Sequence, residues 1–122
     1  MTLAYYCVLM AALFPYFFTV LAKSGKPKYR NDIPREYLEG LQGWRKRAHW
    51  VQFNSFEAFP FFAAAVIIAH LKGAFQSHID YLAIAFILTR ILYGICYITD
   101  KPPLRSLFWF LGFGSVITLF FI

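Results

Sequence analysis

Four long apolar runs constrain the fold of this chain more than any other feature. A helix needs about 20 mostly apolar residues to cross the hydrocarbon core of a bilayer. Runs of that kind lie at 3–22, 48–71, 81–98 and 104–122. Hydrophobic residues make up 60% of the 122 residues and charged residues 15%, whereas a soluble domain is roughly half apolar and a quarter charged. The sequence therefore predicts an all-α membrane protein, a four-transmembrane-helix bundle built as one domain over residues 1–122.

The first run does not resemble a cleaved signal peptide. A signal peptide has a basic start, an apolar stretch of about 7–15 residues and a small-residue cleavage site. Here the chain begins MTLAYY, without lysine or arginine, and the sequence LAKSGK after the run offers no clear cleavage site. We therefore expect the first run to be a permanent helix.

No metal site is predicted from the cysteines and histidines. Cys7 and Cys96 lie in different runs without metal-ligand spacing, so we expect two buried, inert thiols rather than a disulfide or a metal centre. His49 lies near the start of the second run, and His70 and His78 lie at its far end and in the loop after it. None of the three is assigned a ligand role.

The basic residues predict how the chain lies across the membrane. Eight of the twelve fall between residues 23 and 47, and Lys101 and Arg105 flank the connection between the third and fourth runs. The positive-inside rule therefore places these two loops in the cytoplasm and both termini on the non-cytoplasmic side. A basic loop can also bind nucleic acid, but between two spans it is better explained by topology, so no nucleic-acid partner is expected. Within this loop, a short helix is expected over Pro34–Leu41.

Polar residues inside the runs gather in the predicted cytoplasmic half, while the other half is almost purely apolar. The set consists of Arg47, Asn54, Glu57, Arg90, Tyr93, Tyr97 and Arg105. At a rise of 1.5 Å per residue, Asn54 and Glu57 lie roughly 10 and 15 Å into the second span, and Arg90 lies roughly 12 Å from the end of the third. Ionisable residues within spans are rare and usually mark functional sites. The sequence therefore predicts a site near the cytoplasmic face.

Helical spacing places these residues on two stripes. Asn54 and Glu57 are three residues apart and Arg47 is seven before Asn54, so the three share one helix face. Arg90 and the two tyrosines after it are spaced three and four residues apart, so they also share a face. Two polar stripes at one depth indicate either a buried ion pair or a pocket for a charged, polar ligand.

Both interpretations remain open at this point. A Glu57–Arg90 pair would fix the register of the bundle, while Tyr93 or Tyr97 would belong to the interfacial aromatic belt and Arg105 would anchor the topology. A pocket would instead suit a short acidic peptide, because arginine binds carboxylates in paired hydrogen bonds. The number of polar residues exceeds what one ion pair needs, which favours the pocket.

Residues 43–63, GWRKRAHWVQFNSFEAFPFFA, and 88–106, LTRILYGICYITDKPPLRS, resemble the MAPEG family of membrane-associated proteins in eicosanoid and glutathione metabolism. The specific parts are N-x-x-E followed by Pro, then R-x-x-Y-x-x-x-Y, then R-S. The resemblance covers essentially the whole chain, and the compact loops are similar to those of bacterial members. It implies a homotrimer of four-helix subunits that binds glutathione between neighbouring subunits near the cytoplasmic face.

The resemblance also implies roles for individual residues. The residues assigned to glutathione are Arg47, Asn54, Glu57, Arg90, Tyr93 and Tyr97, and the catalytic residues are Arg105 and Ser106. Asn54 and Glu57 match the motif that holds the peptide backbone and its γ-glutamyl ammonium. Arg105 matches the arginine that stabilises the thiolate, since a nearby cation lowers the pKa of a thiol from about 8.5. The thiolate would attack an electrophilic lipid that arrives from the bilayer.

The chain departs from the family pattern at Trp50. Many glutathione-binding members have arginine four residues before the asparagine, and here that position holds Trp50. Arg47 stands three residues earlier, on the same helix face as Asn54. The resemblance implies that Lys26 or Lys28 replaces the basic residue that follows the first helix in the family.

Three functions are therefore considered. The leading hypothesis is a glutathione-dependent transferase or peroxidase that acts on lipophilic electrophiles, with glutathione, a hydrophobic electrophile or lipid, and membrane lipids as its partners. The alternative, motivated by Trp50, is a non-catalytic lipid- or glutathione-binding membrane protein of the same fold. A small transporter or channel subunit is the third, motivated by Glu57 and Arg90 within the spans.

Overall fold

The computed structural model describes residues 1–122, and all of its regular structure is helical. The helices are α1 (Leu3–Lys23), α2 (Pro34–Glu39), α3 (Trp44–Leu71), α4 (Gln76–Ile98) and α5 (Pro102–Phe121). All except α2 are long and apolar enough to cross a membrane. The prediction of an all-α chain with four membrane-spanning helices is confirmed. α3 and α4 begin before the apolar runs at 48 and 81, because each helix continues through polar residues that an apolar run excludes.

One end of the bundle, the basic end, is where α1 and α4 finish and α3 and α5 begin. Arg45 is buried there and donates from Nε to the Ala22 carbonyl at 2.9 Å and from Nη1 to the Lys26 carbonyl at 2.8 Å. It also donates to the Tyr37 hydroxyl. Arg45 therefore holds the basic loop against α3. The short helix of this loop ends at Glu39, two residues before the predicted Leu41, and Gly40 follows it as the C-cap.

The other end of the bundle, where α1 and α4 begin and α3 and α5 finish, is called the opposite end. It carries a polar network that was not predicted from the sequence. The Ala4 amide donates to Asp80 Oδ1 at 2.9 Å, and the side-chain amide of Gln76 donates to the same oxygen at 2.9 Å. The Thr2 hydroxyl and His70 Nε2 are hydrogen-bonded at 3.0 Å. The expectation that this half is almost purely apolar is therefore wrong at its rim. There the network gives a backbone amide in the first turn of α1 its hydrogen-bond acceptor, and it joins the start of α1 to the end of α3 and the start of α4.

Between this rim and the middle of the bundle lies an apolar core of small and aromatic side chains. α1 contributes Ala4, Cys7 and Ala11, which recur at spacings of three and four residues and are all buried. Small residues let helix backbones approach closely, which is how helices pack in a membrane. Phe62 of α3 is fully buried and stacks on Phe86 of α4, with ring centroids 4.0 Å apart. Cys96 lies outside this cluster, and both it and Cys7 are buried and unbridged, as predicted.

Several hydroxyl groups along the long helices are satisfied within their own helix. Thr19, Ser115 and Thr118 each donate to the carbonyl four residues earlier, at 2.9, 3.0 and 2.7 Å. Such local bonds do not link one helix to another. The polar side chains that lack a local partner stand out against this pattern, and they collect in the half of the bundle nearer the basic end.

Candidate functional site

The buried stripes of α3 and α4 become polar toward the basic end. The spacing that buries Phe62 in the apolar core brings Ser55 to the same inner face of α3, and the spacing that buries Phe86 does the same for Arg90 on α4. Arg90 is only 4% exposed. Its Nη2 donates to Ser55 Oγ at 3.4 Å, and its guanidinium carbon lies 4.3 Å from the centroid of the Tyr93 ring. A cation therefore occupies a core position.

The Glu57–Arg90 ion pair that the sequence allowed is not formed. The one ion pair of the structure joins Arg30 and Asp32 in the basic loop, at 2.8 Å. Glu57 is exposed on the outer side of α3, whereas Arg90 lies among the helices. Arg90 therefore has one long hydrogen bond, one aromatic contact and no carboxylate partner. A buried charge without a carboxylate partner is unfavourable, so Arg90 is a group that can bind an anion.

Three neighbouring cavities open around Asn54. The inner cavity, of about 200 Å³, has Asn54, Glu57 and Arg90 at its polar side and is otherwise lined by Ala58, Phe61, Phe86, Trp109, Phe113 and Val116. The Arg105 cavity, of about 230 Å³, is lined by Asn54, Tyr93, Tyr97, Arg105, Ser106, Trp109 and Phe110. The Trp50 cavity, of about 360 Å³, is lined by Trp50, Phe53, Asn54, Glu57, Tyr93 and Tyr97. Asn54 lies in the wall of all three, so the cavities adjoin one another.

The Arg105 cavity is suited to hold a negative charge. Arg105 lies in the first turn of α5, and its guanidinium carbon is 4.6 Å from the centroid of the Tyr97 ring. The ring fixes the position of the guanidinium through a cation–π contact. The positive end of the α5 dipole adds to this charge. Ser106 lines the same cavity and brings a hydroxyl donor. The cavity can therefore accept a small anion.

Most of the site residues proposed from the sequence are brought together. Those that line the three cavities are Asn54, Glu57, Arg90, Tyr93, Tyr97, Arg105 and Ser106. Arg47 is not among them, because its Nε donates to the Ile98 carbonyl at 3.1 Å and joins the start of α3 to the end of α4. Lys26 lines a separate cavity beside Arg45 in the basic loop.

Several lining residues were not found from the sequence. Trp109 stands in the wall of both the inner and the Arg105 cavities. It lies four residues after Arg105 and three after Ser106, so helical spacing on α5 was a sufficient signal. Phe53 and the Arg90 partner Ser55 carried no comparable signal, because their roles depend on which helix packs against theirs.

One comparison with known proteins identifies a family for this chain. The model of the MAPEG family matches residues 3–122, essentially the whole chain. No curated protein and no solved structure matches the chain at a significant level. The matched range includes the four long helices and every residue that lines the three cavities. The chain is therefore a multi-pass integral membrane protein and belongs to the MAPEG family.

Proposed function

We propose that the protein is a glutathione-dependent transferase or peroxidase that acts on lipophilic electrophiles. The observation that carries this proposal is the set of unsatisfied groups around one point. Asn54 Oδ1 is buried without a hydrogen-bond partner, Arg90 is buried without a carboxylate, and Glu57 has no cation. An α-amino-acid head group supplies what all three lack, namely N–H donors, a carboxylate and an ammonium. The γ-glutamyl end of glutathione is such a group.

The thiol of the same peptide would lie in the adjoining Arg105 cavity. With Arg105 and the start of α5 beside it, the thiolate is favoured over the thiol, and the proton passes to water. The sulfur then attacks the electrophilic carbon, a carbon–sulfur bond forms and the leaving group departs. With a hydroperoxide, the sulfur attacks the terminal oxygen, a sulfur–oxygen bond forms as the oxygen–oxygen bond breaks, and the alkoxide leaves and takes a proton from water. A second glutathione then reduces the resulting sulfenic acid, which gives glutathione disulfide and water. Ser106 donates a hydrogen bond to the thiolate and helps to position it.

The site requires a cover on its outer side, which we propose is a second copy of the chain. Glu57, Trp50 and Phe53 are all exposed on α3. A charged residue that faces hydrocarbon at the centre of a helix costs about 2.5–3.5 kcal/mol. A neighbouring subunit removes this exposure, in keeping with the homotrimer that MAPEG membership suggests. The positive-inside rule places the basic end, and the site near it, on the cytoplasmic side.

A second candidate function rests on Trp50. Its ring centroid lies 6.3 Å from that of Tyr97, and the exposed Trp50 side chain lines one of the cavities. Many glutathione-binding members of the family have an arginine at this position. Loss of that cation weakens the attraction for an anionic peptide. The second candidate is therefore a protein of the same fold that binds a lipid or glutathione without catalysis.

The test is a titration of glutathione into the full-length protein in detergent micelles, followed by thiolate absorbance and, separately, by calorimetry. In the wild type we expect a saturable thiolate signal. Glu57→Gln should weaken binding about tenfold, as expected for one charge-assisted hydrogen bond. Arg105→Ala should retain binding but lose the thiolate signal and slow conjugation about 100-fold. Arg35→Gln, an exposed change on α2, is the charge-matched control.

The outcomes separate the two candidates. Glutathione binding without a thiolate signal in the wild type would favour the non-catalytic function. An unchanged rate in Arg105→Ala would remove Arg105 from the mechanism. Absence of glutathione binding by the wild type would overturn the proposal.

A further inference from the structure

The basic loop between α1 and α3 contains a fourth cavity, the loop cavity, of about 440 Å³. It is lined by Lys26, Pro27, Glu36, Tyr37, Gly40, Leu41, Gln42 and Arg45. None of these residues lines any of the three cavities around Asn54. Its volume lies in the range of about 300–1,000 Å³ that is typical of ligand pockets. The loop cavity is therefore a separate candidate site.

Packing and hydrogen bonds hold the walls of the loop cavity in place. A small buried cluster joins the loop to the end of α1 and the start of α3, and it consists of Ala22, Leu38, Leu41 and Ala48. The Tyr37 hydroxyl donates to the Pro27 carbonyl at 2.6 Å and accepts a hydrogen bond from Arg45. Because these contacts already fix the loop, a ligand does not have to order it on binding.

Arg45 is a buried cation in the wall of the loop cavity. It is 7% exposed, and its hydrogen bonds go to uncharged acceptors, namely the carbonyls of Ala22 and Lys26 and the Tyr37 hydroxyl. These bonds use three of its five N–H groups. The one ion pair of the structure lies elsewhere in the loop, so Arg45 has no carboxylate partner. Its positive charge and two of its N–H groups are therefore left for an anion.

The other polar groups of the lining suit a phosphate that carries a hydroxylated group. Lys26 is exposed and forms no ion pair, and lysine and arginine donate charge-assisted hydrogen bonds to phosphate oxygens. Glu36 and Gln42 are exposed as well, and their side-chain oxygens accept hydrogen bonds from hydroxyl groups. The lining holds two cations and one carboxylate, so a ligand with one negative charge balances it.

The loop cavity lies at the depth of the lipid head groups. Arg45 comes three residues before the apolar run at 48–71, which is roughly 5 Å along a helix. Lys26 follows the run at 3–22 by four residues. Trp44, beside Arg45 in the chain, is exposed, as is typical of tryptophan in the interfacial belt of a membrane protein. Basic pockets at this level bind the head groups of anionic lipids.

We propose that the loop cavity binds the head group of an anionic phospholipid in the leaflet at the basic end. Lys26 and Arg45 hold the phosphate, and Glu36 and Gln42 accept hydrogen bonds from hydroxyls of the head group. This proposal goes beyond the glutathione chemistry, because it concerns a site that shares no lining residue with the three cavities around Asn54.

A free phosphate offers the same chemistry, and the surface of α1 favours the lipid. α1 leads to the loop cavity and exposes Leu13, Phe17 and Val20, which recur at spacings of four and three residues. Residues at this spacing share one helix face. The acyl chains of a lipid held at its phosphate therefore have an apolar helix face to lie along, whereas a free phosphate gains nothing from it.

The test titrates the full-length protein in detergent micelles with short-chain phosphatidylglycerol, followed by native mass spectrometry. The wild type should bind one such lipid per chain, about fivefold more tightly than phosphatidylcholine with the same acyl chains, whose ammonium cancels the charge of the phosphate. Lys26→Gln should weaken phosphatidylglycerol binding about fivefold, as expected for one cation beside an anionic head group. Gln42→Leu leaves the charge unchanged and should weaken binding about threefold through the lost hydrogen bond.

The matched control is Lys28→Gln, which removes the same charge two residues away from an exposed side chain that lines none of the four cavities. Its affinity for phosphatidylglycerol should equal that of the wild type. An equal loss in Lys26→Gln and Lys28→Gln would show a diffuse attraction to the basic loop and would overturn the site. Unchanged binding in both Lys26→Gln and Gln42→Leu would overturn it as well.

Competitors distinguish the lipid from other sources of phosphate. Inorganic phosphate and glycerophosphoglycerol, the head group without acyl chains, should each leave phosphatidylglycerol bound when present at tenfold excess. Displacement by inorganic phosphate would assign the cavity to a free anion and overturn the lipid. Phosphatidylethanolamine that binds as tightly as phosphatidylglycerol would overturn the anionic head group, because its ammonium would then pair with Glu36. None of these measurements depends on a thiolate, so the lipid site and the proposed function are tested separately.

Discussion

The same two helices build two halves of the bundle that behave in opposite ways. Near the opposite end, the inner faces of α3 and α4 meet through Phe62 and Phe86, which are buried and stacked. Near the basic end, the continuation of those faces meets through Ser55 and Arg90, with one hydrogen bond of 3.4 Å. The apolar half is packed by its own side chains. The polar half is left with unmet groups, so we expect it to contribute less to stability.

The largest loss of stability is expected from the apolar half. Phe62→Ala removes a fully buried ring and leaves a cavity against Phe86. The free energy of unfolding should fall by about 2–4 kcal/mol, because packing contacts are lost even where lipid is the solvent. Thermal unfolding in detergent micelles measures this change. Glutathione affinity of the folded fraction should stay within about threefold of the wild type. An unfolding temperature equal to that of the wild type would contradict the division into two halves.

A smaller loss is expected at the border between the halves. A Cβ on Gly94 would lie 2.5 Å from Cζ of Phe18, so Gly94→Ala forces that ring to move. Overpacking of this kind costs about 1–3 kcal/mol. Because Tyr93 precedes Gly94 on α4, glutathione affinity should fall together with the unfolding temperature. Gly114→Ala on α5, where a Cβ meets nothing within 4 Å, is the matched control. Equal stability of the two variants would show that Phe18 yields without strain.

The smallest effect on stability, with a large effect on binding, is expected from the polar half. Arg90→Met replaces a buried cation that has no carboxylate partner by an apolar side chain of similar length. The free energy of unfolding should change by less than about 1 kcal/mol or should rise, as for other buried charges replaced by apolar residues. Glutathione affinity should fall about tenfold or more. Calorimetry and thermal unfolding on the same sample give both values. A marked loss of stability would make Arg90 a structural residue.

The residues also show how far sequence reasoning reaches. The apolar runs were sufficient to predict four membrane-spanning helices, because the length of an apolar run decides whether a helix can cross a bilayer. Helical spacing placed Asn54 with Glu57 and Arg90 with Tyr93, and these four residues line the three adjoining cavities, although Arg90 and Tyr93 line different ones. Spacing along a single helix reports a shared face, and it does not report which neighbour that face meets.

The interpretations that the structure did not bear out fail for this reason. Arg47 shares a face with Asn54 in the sequence, but its long side chain reaches the Ile98 carbonyl across the bundle. The Glu57–Arg90 pair was plausible from depth, yet Glu57 is exposed and Arg90 is buried, and they form no ion pair although both line the inner cavity. The network of Asp80 with the start of α1 required two chain segments 76 residues apart to meet. Such contacts depend on the packing of whole helices.

The local hydrogen bonds of Thr19, Ser115 and Thr118 have a consequence for biogenesis. Because these three hydroxyls bind carbonyls of their own helices, they bring no unmet hydroxyl into hydrocarbon when α1 and α5 leave the translocon. α4 carries Arg90, and a central arginine on an isolated inserting helix is unfavourable by about 2.5–3.5 kcal/mol. Because of that difference, we expect α4 to stay beside the translocon until it packs against α3 and Arg90 meets Ser55. We therefore expect the order in which the helices enter the bilayer to depend on which of their polar side chains have hydrogen-bond partners within their own helix.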